Sequence, residues 1–412
     1  MLIPNSLPRS IASKNVKNHN KHAVLDLIRF TPGGISRVEL ADELALTRAA
    51  VTPIVKDLMD DGIIREAERR SSTNGRPPVI LEINPDRGIV AGIDMGATHM
   101  TIIVANHAAQ VLSEKEISLD ISAGPKICIE QADAVLKEVL AKINANISDL
   151  DAIGVGVPGP IVAEAGMVLA PPIMPGWDQF PIRDTLQKRW NCPISLSNDA
   201  ELGALGEWAA GAGRGVLNLA YIKVGTGIGA GILINGQLYR GAGGSAGEIG
   251  HITIDENGPM CTCGNQGCLE AIASGPAIAR QAREAVEAGK RTELANIQPQ
   301  NNITVRNVIE LARKGDLISQ QILFKAGSQV GIAVAGLVNL FNPNMIVIGG
   351  GVPYIGDLFL GPVREAVQKR STRAAAQIVE ISTALLGKHS VSMGAVIQAL
   401  TMSLHLTADH RI

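Results

Sequence analysis

A chain of 412 residues exceeds one ordinary domain and suits two or three. Its 46% apolar content supports large cores, and with 3% aromatic residues Ala, Val, Ile and Leu must fill them. A formal net charge of −2 excludes a global basic field, so any contact with nucleic acid has to come from a local patch.

The opening MLIPNSLPRSIASK lacks the apolar core of a signal peptide. His22 to Phe30 then carries helical apolar spacing at Val24, Leu25, Leu27 and Ile28. Thr31-Pro32-Gly33-Gly34 breaks it, and Ser36 with Glu39 forms a capping box for a second helix through Leu40, Ala41 and Leu44. Thr47 caps a third helix with Val51, Ile54, Val55 and Leu58, ended by Gly62. Pro53 lies beyond its first turn, where a lost hydrogen bond predicts a bend. Two helices joined by a tight turn after a first helix make a helix-turn-helix. Arg48, Ala49, Thr52 and Lys56 are then the residues facing a major groove. Ile63 to Glu66 and Val79 to Glu82 read as strands of a wing, and Gly75-Arg76-Pro77 between them presents Arg76 to a minor groove. A helical interaction or dimerisation module with a solvated basic loop is the competing reading. It leaves the coincidence of both groove-facing features unexplained.

From residue 88 strands, glycine turns and helical stretches alternate, the pattern of an α/β domain, and much of the chain's 44 glycines fall in such turns. Ile89 to Val104 reads as two strands hinged at Asp94-Met95-Gly96-Ala97-Thr98. Leu219 to Leu233 repeats the pattern around Gly225-Thr226-Gly227-Ile228-Gly229, with Ile93 and Gly96 aligned to Ile222 and Gly225, which points to duplicated halves. A third glycine run, Gly349-Gly350-Gly351, follows the apolar Ile346-Val347-Ile348. Any one such loop is as often a mere turn. Three together favour a nucleotide site, retained or ancestral, through Asp94, Gly96, Thr98, Gly225, Thr226, Gly227, Gly349 and Gly350.

Asn198-Asp199 ends the strand Ile194 to Ser197 before a helix. There Asn198 suits a sugar hydroxyl and Asp199 a proton acceptor, while a plain helix cap is the competing reading. His251, Cys261, Cys263 and Cys268 supply one imidazole and three thiolates, a tetrahedral Zn²⁺ set with no open position and hence structural. Five cysteines with three inside eight residues argue for a metal in a reducing compartment rather than for disulfides. Glu248 and Glu270 flank that set and suit vicinal sugar hydroxyls, unless they form surface ion pairs. The apolar stretch from Gly331 to Val352 is interrupted by Asn339, Asn342, Pro343 and Asn344, too polar to span a bilayer. A soluble cytoplasmic protein without a membrane partner is expected.

Val224-Gly225-Thr226-Gly227-Ile228-Gly229 through Glu248-Ile249-Gly250-His251, with Cys261, Cys263, Cys268 and Glu270, resembles the ROK family (repressors, open reading frames and kinases) over nearly all of residues 20 to 400. The resemblance implies a two-lobed actin-like (ribonuclease H-like) sugar kinase fold behind the winged helix-turn-helix. It implies a monosaccharide pocket of Asn198, Asp199, Glu248, His251 and Glu270, with Asp199 as catalytic base in members that are kinases. It also implies a homodimer or homotetramer, with regulators on palindromic operator DNA. Gly75-Arg76-Pro77-Pro78 and Leu81 to Pro85 resemble the regulator branch, such as xylose and N-acetylglucosamine repressors. Glu201 stands where the family often has Asn, and Asp94 to Thr98 keeps a phosphate motif that some repressors have lost. The expected organisation is a DNA-binding domain at 1–85, a smaller α/β lobe at 86–199 completed by a helix near 391–407, and a larger lobe with the zinc site at 200–390. The expected function is a sugar-responsive repressor of carbohydrate genes. The alternative is an ATP-dependent, glucokinase-like hexose kinase using Mg-ATP, with a regulatory DNA-binding head.

Overall fold

The structure is a computed structural model and describes residues 13–67, 78–162, 165–169, 171 and 173–409. The head comprises α1 (Ser13–Phe30), β1 (Ile35–Ser36), α2 (Arg37–Glu43), α3 (Arg48–Asp60), β2 (Ile64–Ala67) and β3 (Ile80–Ile83). Both halves of the capping box form: Glu39 N donates to Ser36 Oγ at 3.3 Å, and Ser36 N donates to Glu39 Oε2 at 2.7 Å. Thr47 caps α3 by accepting from Ala50 N. Helix α3 runs unbroken through Pro53, whose ring is exposed. Helix α1 begins at Ser13, well before the predicted His22. The Lys21 ammonium donates to Ala408 O at 3.0 Å and to Asp61 at 3.4 Å. The wing strands pair antiparallel, Arg65 opposite Glu82. Strand β1, absent from the sequence reading, joins the far edge of β3 to give the order β1-β3-β2. Arg76 lies outside the described residues.

The first lobe of the body holds β4 (Ile89–Met95), β5 (His99–Asn106), β6 (Val111–Ser118), α4 (Pro125–Ala141), β7 (Leu150–Val157), β8 (Ile161–Val162), β9 (Met167–Val168), α5 (Ile182–Trp190) and β10 (Ile194–Asn198). Helix α6 (Asp199–Ala210) leads to the second lobe, with β11 (Leu219–Val224), β12 (Ile228–Ile234), β13 (Gln237–Leu238), α7 (Leu269–Ala273), α8 (Gly275–Glu287), α9 (Val305–Arg313), α10 (Leu317–Phe341), β14 (Met345–Gly349), α11 (Asp357–Arg370), α12 (Arg373–Ile378) and β15 (Glu380–Thr383). The two five-stranded sheets share one topology, β6-β5-β4-β7-β10 and β13-β12-β11-β14-β15. Each starts with an antiparallel meander and adds two parallel strands on the other side. The equivalence of Ile93 with Ile222 and Gly96 with Gly225 is therefore a match between topologically identical hairpins. The inner parallel strands β7 and β14 are apolar nearly throughout, as burial on both faces requires.

Helix α13 (Ser390–Asp409) returns from the second lobe to the first. Its Met393, Val396, Ala399 and Leu400 pack on Val90, Ile103, Ala105 and Ala152 behind the first sheet. Its crossing with α6 is made by close backbone approach: a methyl on Gly206 would strike the Ser390 carbonyl oxygen, and one on Gly394 the Leu202 carbonyl oxygen. The buried Glu207 carboxylate of α6 accepts from Leu385 N, Leu386 N and Ser390 Oγ, capping the approach to α13. Beyond Leu400 the same helix enters the head, where Leu404 and Ala408 share a core with Val24, Leu25, Ile28 and Leu58. Arg29 of α1 donates to Ile397 O and Thr401 Oγ1, both at 2.6 Å. Burial lowers the Arg29 guanidinium to about 10, against the pull of Asp26. The ring of His22 stacks on His405 at 4.1 Å. Helices α10 and α13 are long and apolar enough to cross a membrane, yet 61% and 67% of their apolar windows are buried inside the fold.

Candidate functional site

The β4–β5 and β11–β12 hairpins face each other across one cleft of about 1710 Å³ between the lobes. Asp94, Thr98, Asn198, Asp199, Gly225, Thr226, Gly227, Glu248, His251, Glu270 and Gly350 all line it, drawn from both sheets and the loops behind them. Gly96 and Gly349 are not in its lining. Gly349 instead backs onto the Tyr221 ring, where a side chain would not fit.

His251 and the three cysteines converge. Their ligand atoms lie within 4.8 Å of one another, with Cys261 Sγ 3.6 Å from His251 Nδ1 and Cys263 Sγ 3.7 Å from Cys268 Sγ. A tetrahedral Zn²⁺ ion would set these edges at about 3.6 Å for S···N and about 3.8 Å for S···S, so donor chemistry and spacing fit a metal ion such as zinc. The loop closes on backbone bonds, Cys261 N to Asn265 O and Gly264 N to Cys261 O, which turn the thiols inward. With Nδ1 facing the thiols, the other ring nitrogen, Nε2, points to Glu248 Oε2 at 3.9 Å. One histidine thus faces the thiol cluster with one nitrogen and the cleft with the other. Burial pushes the Glu248 carboxyl up, reinforced by the negative charges of Glu270, Asp199 and Glu201 and opposed by His251. Glu270, at the start of α7, accepts from Ile228 N at 2.9 Å and so ties the end of the cysteine loop to the β11–β12 turn.

Asn198 caps α6: its Oδ1 accepts from Ala200 N at 2.8 Å while its Nδ2 donates to Gly159 O at 2.9 Å. The helix-cap reading of this residue therefore holds, and the same side chain still lines the cleft. Asp199 is paired. Its Oδ2 lies 2.5 Å from the ammonium of Lys223, a residue the sequence reading passed over. A charge standing alone in the apolar run Leu219 to Val224 was the signal available for it. Burial lowers the Lys223 ammonium, but Asp199 and Asp94 outweigh it and hold its pKa above the usual lysine value. Asp94 is 1% exposed, 3.5 Å from His99 Nε2 through one oxygen, and its Oδ1 has no hydrogen-bond partner. Hydrogen bonding to Asp94 raises the His99 pKa against burial.

Glu201, the departure noted in the sequence, is buried and answered by Arg240 at 3.2 Å. Burial raises its carboxyl, and the Arg240 charge and hydrogen bonds oppose that rise. Arg240 also reaches Ser197 Oγ at 3.4 Å, which accepts from Gln398 of α13 at 2.8 Å. A polar chain therefore leads from the cleft wall to the helix that enters the head. On the head, Arg48, Ala49, Thr52 and Lys56 are all exposed, and they follow one another along the same side of α3.

The sequence profile described as ROK family matches residues 90–402, and that described as winged helix-turn-helix DNA-binding matches residues 17–65. A xylose repressor of Caldicellulosiruptor bescii is 33% identical over 367 residues, spanning 89% of this chain and 92% of that protein. A glucokinase of Halalkalibacterium halodurans is 35% identical over 305 residues, spanning 74% of this chain and 92% of that enzyme. The crystal structure of a ROK family transcriptional regulator, a homologue of the E. coli MLC protein, superposes with a TM-score of 0.79 at 28% identity, covering 96% of this chain and 99% of that one.

Proposed function

The chain belongs to the ROK family, and from that premise we propose that it is a sugar-responsive transcriptional repressor of carbohydrate genes. One observation carries the reading: the helix that braces the sugar-kinase-like cleft ends inside the core of a winged helix-turn-helix head. Arg48, Ala49, Thr52 and Lys56 enter the major groove of operator DNA, with Arg76 on the wing in the adjacent minor groove. Glu248, His251 and Glu270, with Asn198 and Asp199 opposite, take the hydroxyls of a monosaccharide. A structural zinc held by His251, Cys261, Cys263 and Cys268 turns the His251 ring so that Nε2 serves the sugar. The chain acts in the cytoplasm as a homodimer or homotetramer, which matches head symmetry to a palindromic site.

A sugar releases DNA only if it binds the DNA-competent and incompetent arrangements with different affinity, and a tenfold drop in operator affinity needs about 1.4 kcal/mol of such coupling. Fluorescence anisotropy with the upstream intergenic DNA tests this. Binding should weaken steeply with salt and be lowered further by a monosaccharide such as D-xylose, D-glucose or N-acetylglucosamine. No sequence-specific binding, with or without sugar, would remove the reading. The alternative, a hexose kinase with a DNA-binding head, rests on the glycine hairpins and the buried Asp94 in the cleft. Its test is sugar-dependent ADP release that Asp199→Ala abolishes.

A further inference from the structure

Phosphoryl transfer across this cleft would ask two things of its carboxylates. A divalent ion carrying nucleotide phosphates would have to reach carboxylate oxygens such as those of Asp94, and Asp199 would need a free lone pair for the sugar hydroxyl proton. Lys223 bears on both demands. Lys223 of β11 bonds Asp199 Oδ2 at 2.5 Å and lines the same cleft as Asp94, close enough for each to feel the other's charge. His99 Nε2 lies 3.5 Å from the Asp94 Oδ2 atom, and Asp94 favours the proton on that ring. Asp94 is 1% exposed, and its Oδ1 is buried without a hydrogen bond to any protein group. A dication here would have to share these carboxylates with an ammonium already bonded to one of them.

We propose that Lys223 is the resident cation of this cleft: its ammonium supplies, beside Asp94 and Asp199, the positive charge that a divalent ion would otherwise bring, so the cleft accepts an uncharged polyol and turns away metal-bound nucleotide. Mg²⁺·ATP therefore does not fit the site as built, and no transfer step runs through it. The retained Asp94-Met95-Gly96-Ala97-Thr98 hairpin is the wall of a sugar site whose counter-charge is covalently attached. The inference is separate from the DNA reading, since a chain that bound no DNA at all would give the same metal titration.

The test is Mn²⁺ binding by electron paramagnetic resonance on the zinc-loaded full-length chain. Removing the ammonium should expose the carboxylates, so Lys223→Met should bind Mn²⁺ at least tenfold more tightly than the unaltered chain. Adding Asp94→Asn to that variant should abolish the gain. Lys223→Gln, which keeps length and polarity, is the second variant should the methionine destabilise the strand. The unaltered chain provides an arm that needs no substitution: calorimetric titration with Mg²⁺·AMPPNP should give binding weaker than about 1 mM. Equal Mn²⁺ affinity with and without the lysine would overturn the proposal. Micromolar binding of Mg²⁺·AMPPNP that is lost in Lys223→Met would also overturn it, and would make Lys223 a phosphate ligand instead.

Discussion

Replacing Leu404 by Ala asks whether the C-terminal helix is a structural part of the head. Leu404 is 1% exposed and lies in the cluster with Val24, Leu25 and Leu58, more than three hundred residues away in sequence. Truncating a leucine at such a position costs the transfer energy of the lost carbons plus that of the cavity left behind, about 3 kcal/mol. A domain of the head's size holds roughly 4–10 kcal/mol of stability in total, so the loss is a large share of it. It corresponds to a roughly 100-fold rise in the opening equilibrium of the head at about 1.4 kcal/mol per factor of ten. Hydrogen exchange read by mass spectrometry should show the α3 amides exchanging faster by about that factor. Zinc content and sugar affinity should be unaltered, because α13 lines the cleft at Val391, near its start, and Leu404 lies at its far end. Leu400→Ala is the control: one turn earlier, it is buried against the body and should loosen β4 and β5 before the head. If α3 exchange were unchanged in Leu404→Ala, the helix would be resting on the head without stabilising it, and the proposed route from cleft to DNA would be lost.

Two further outcomes follow from the geometry. Cys263→Ser removes the one exposed thiol of the cluster, and elemental analysis should find stoichiometric zinc gone and sugar affinity reduced with it. Zinc loss with sugar affinity intact would mean that the His251 ring is oriented without the metal. Asp133 of α4 is pushed up by burial, but Arg189, Lys137 and Trp190 donate to it and together hold its carboxyl at about 2. A carboxyl lowered in the folded state stabilises above its unfolded pKa and loses that contribution as the pH falls through the folded value. Asp133→Asn should thus cost about 1–2 kcal/mol in urea melts near neutral pH and progressively less between about pH 4 and pH 2. A penalty independent of pH would assign the effect to packing instead.

What the sequence disclosed was local. Ser36 with Glu39, Thr47 with its following helix, and the Cys261 to Cys268 cluster all act within a few residues, so their spacing carries their geometry. The shared topology of the two sheets was visible only as the echo of Ile93 and Gly96 in Ile222 and Gly225. Lys223 was passed over because a polar position in a strand reads as solvent-facing, and only the fold turns that face toward Asp199. The pairing of β1 with β3, the Glu201–Arg240 pair and the embedding of α13 in the head join segments far apart in the chain, and no periodicity records them. The early start of α1 escaped for a different reason, since Ser13 to Lys21 has Val16 as its one apolar residue and so carries no period.

At the crossing of α6 and α13, main chain lies against main chain, with nothing flexible between Leu202 and Gly394 to yield. The pair is consequently joined stiffly, with one end at Asp199 and the other in the head. Leu404 stands ten residues past Gly394 on a continuous helix, about 15 Å from the pivot at 1.5 Å per residue. A tilt of about 10° displaces it by roughly 2.5 Å, more than a close-packed interior can absorb in place. Any tilt of α13 about this crossing would therefore have to be shared by the head.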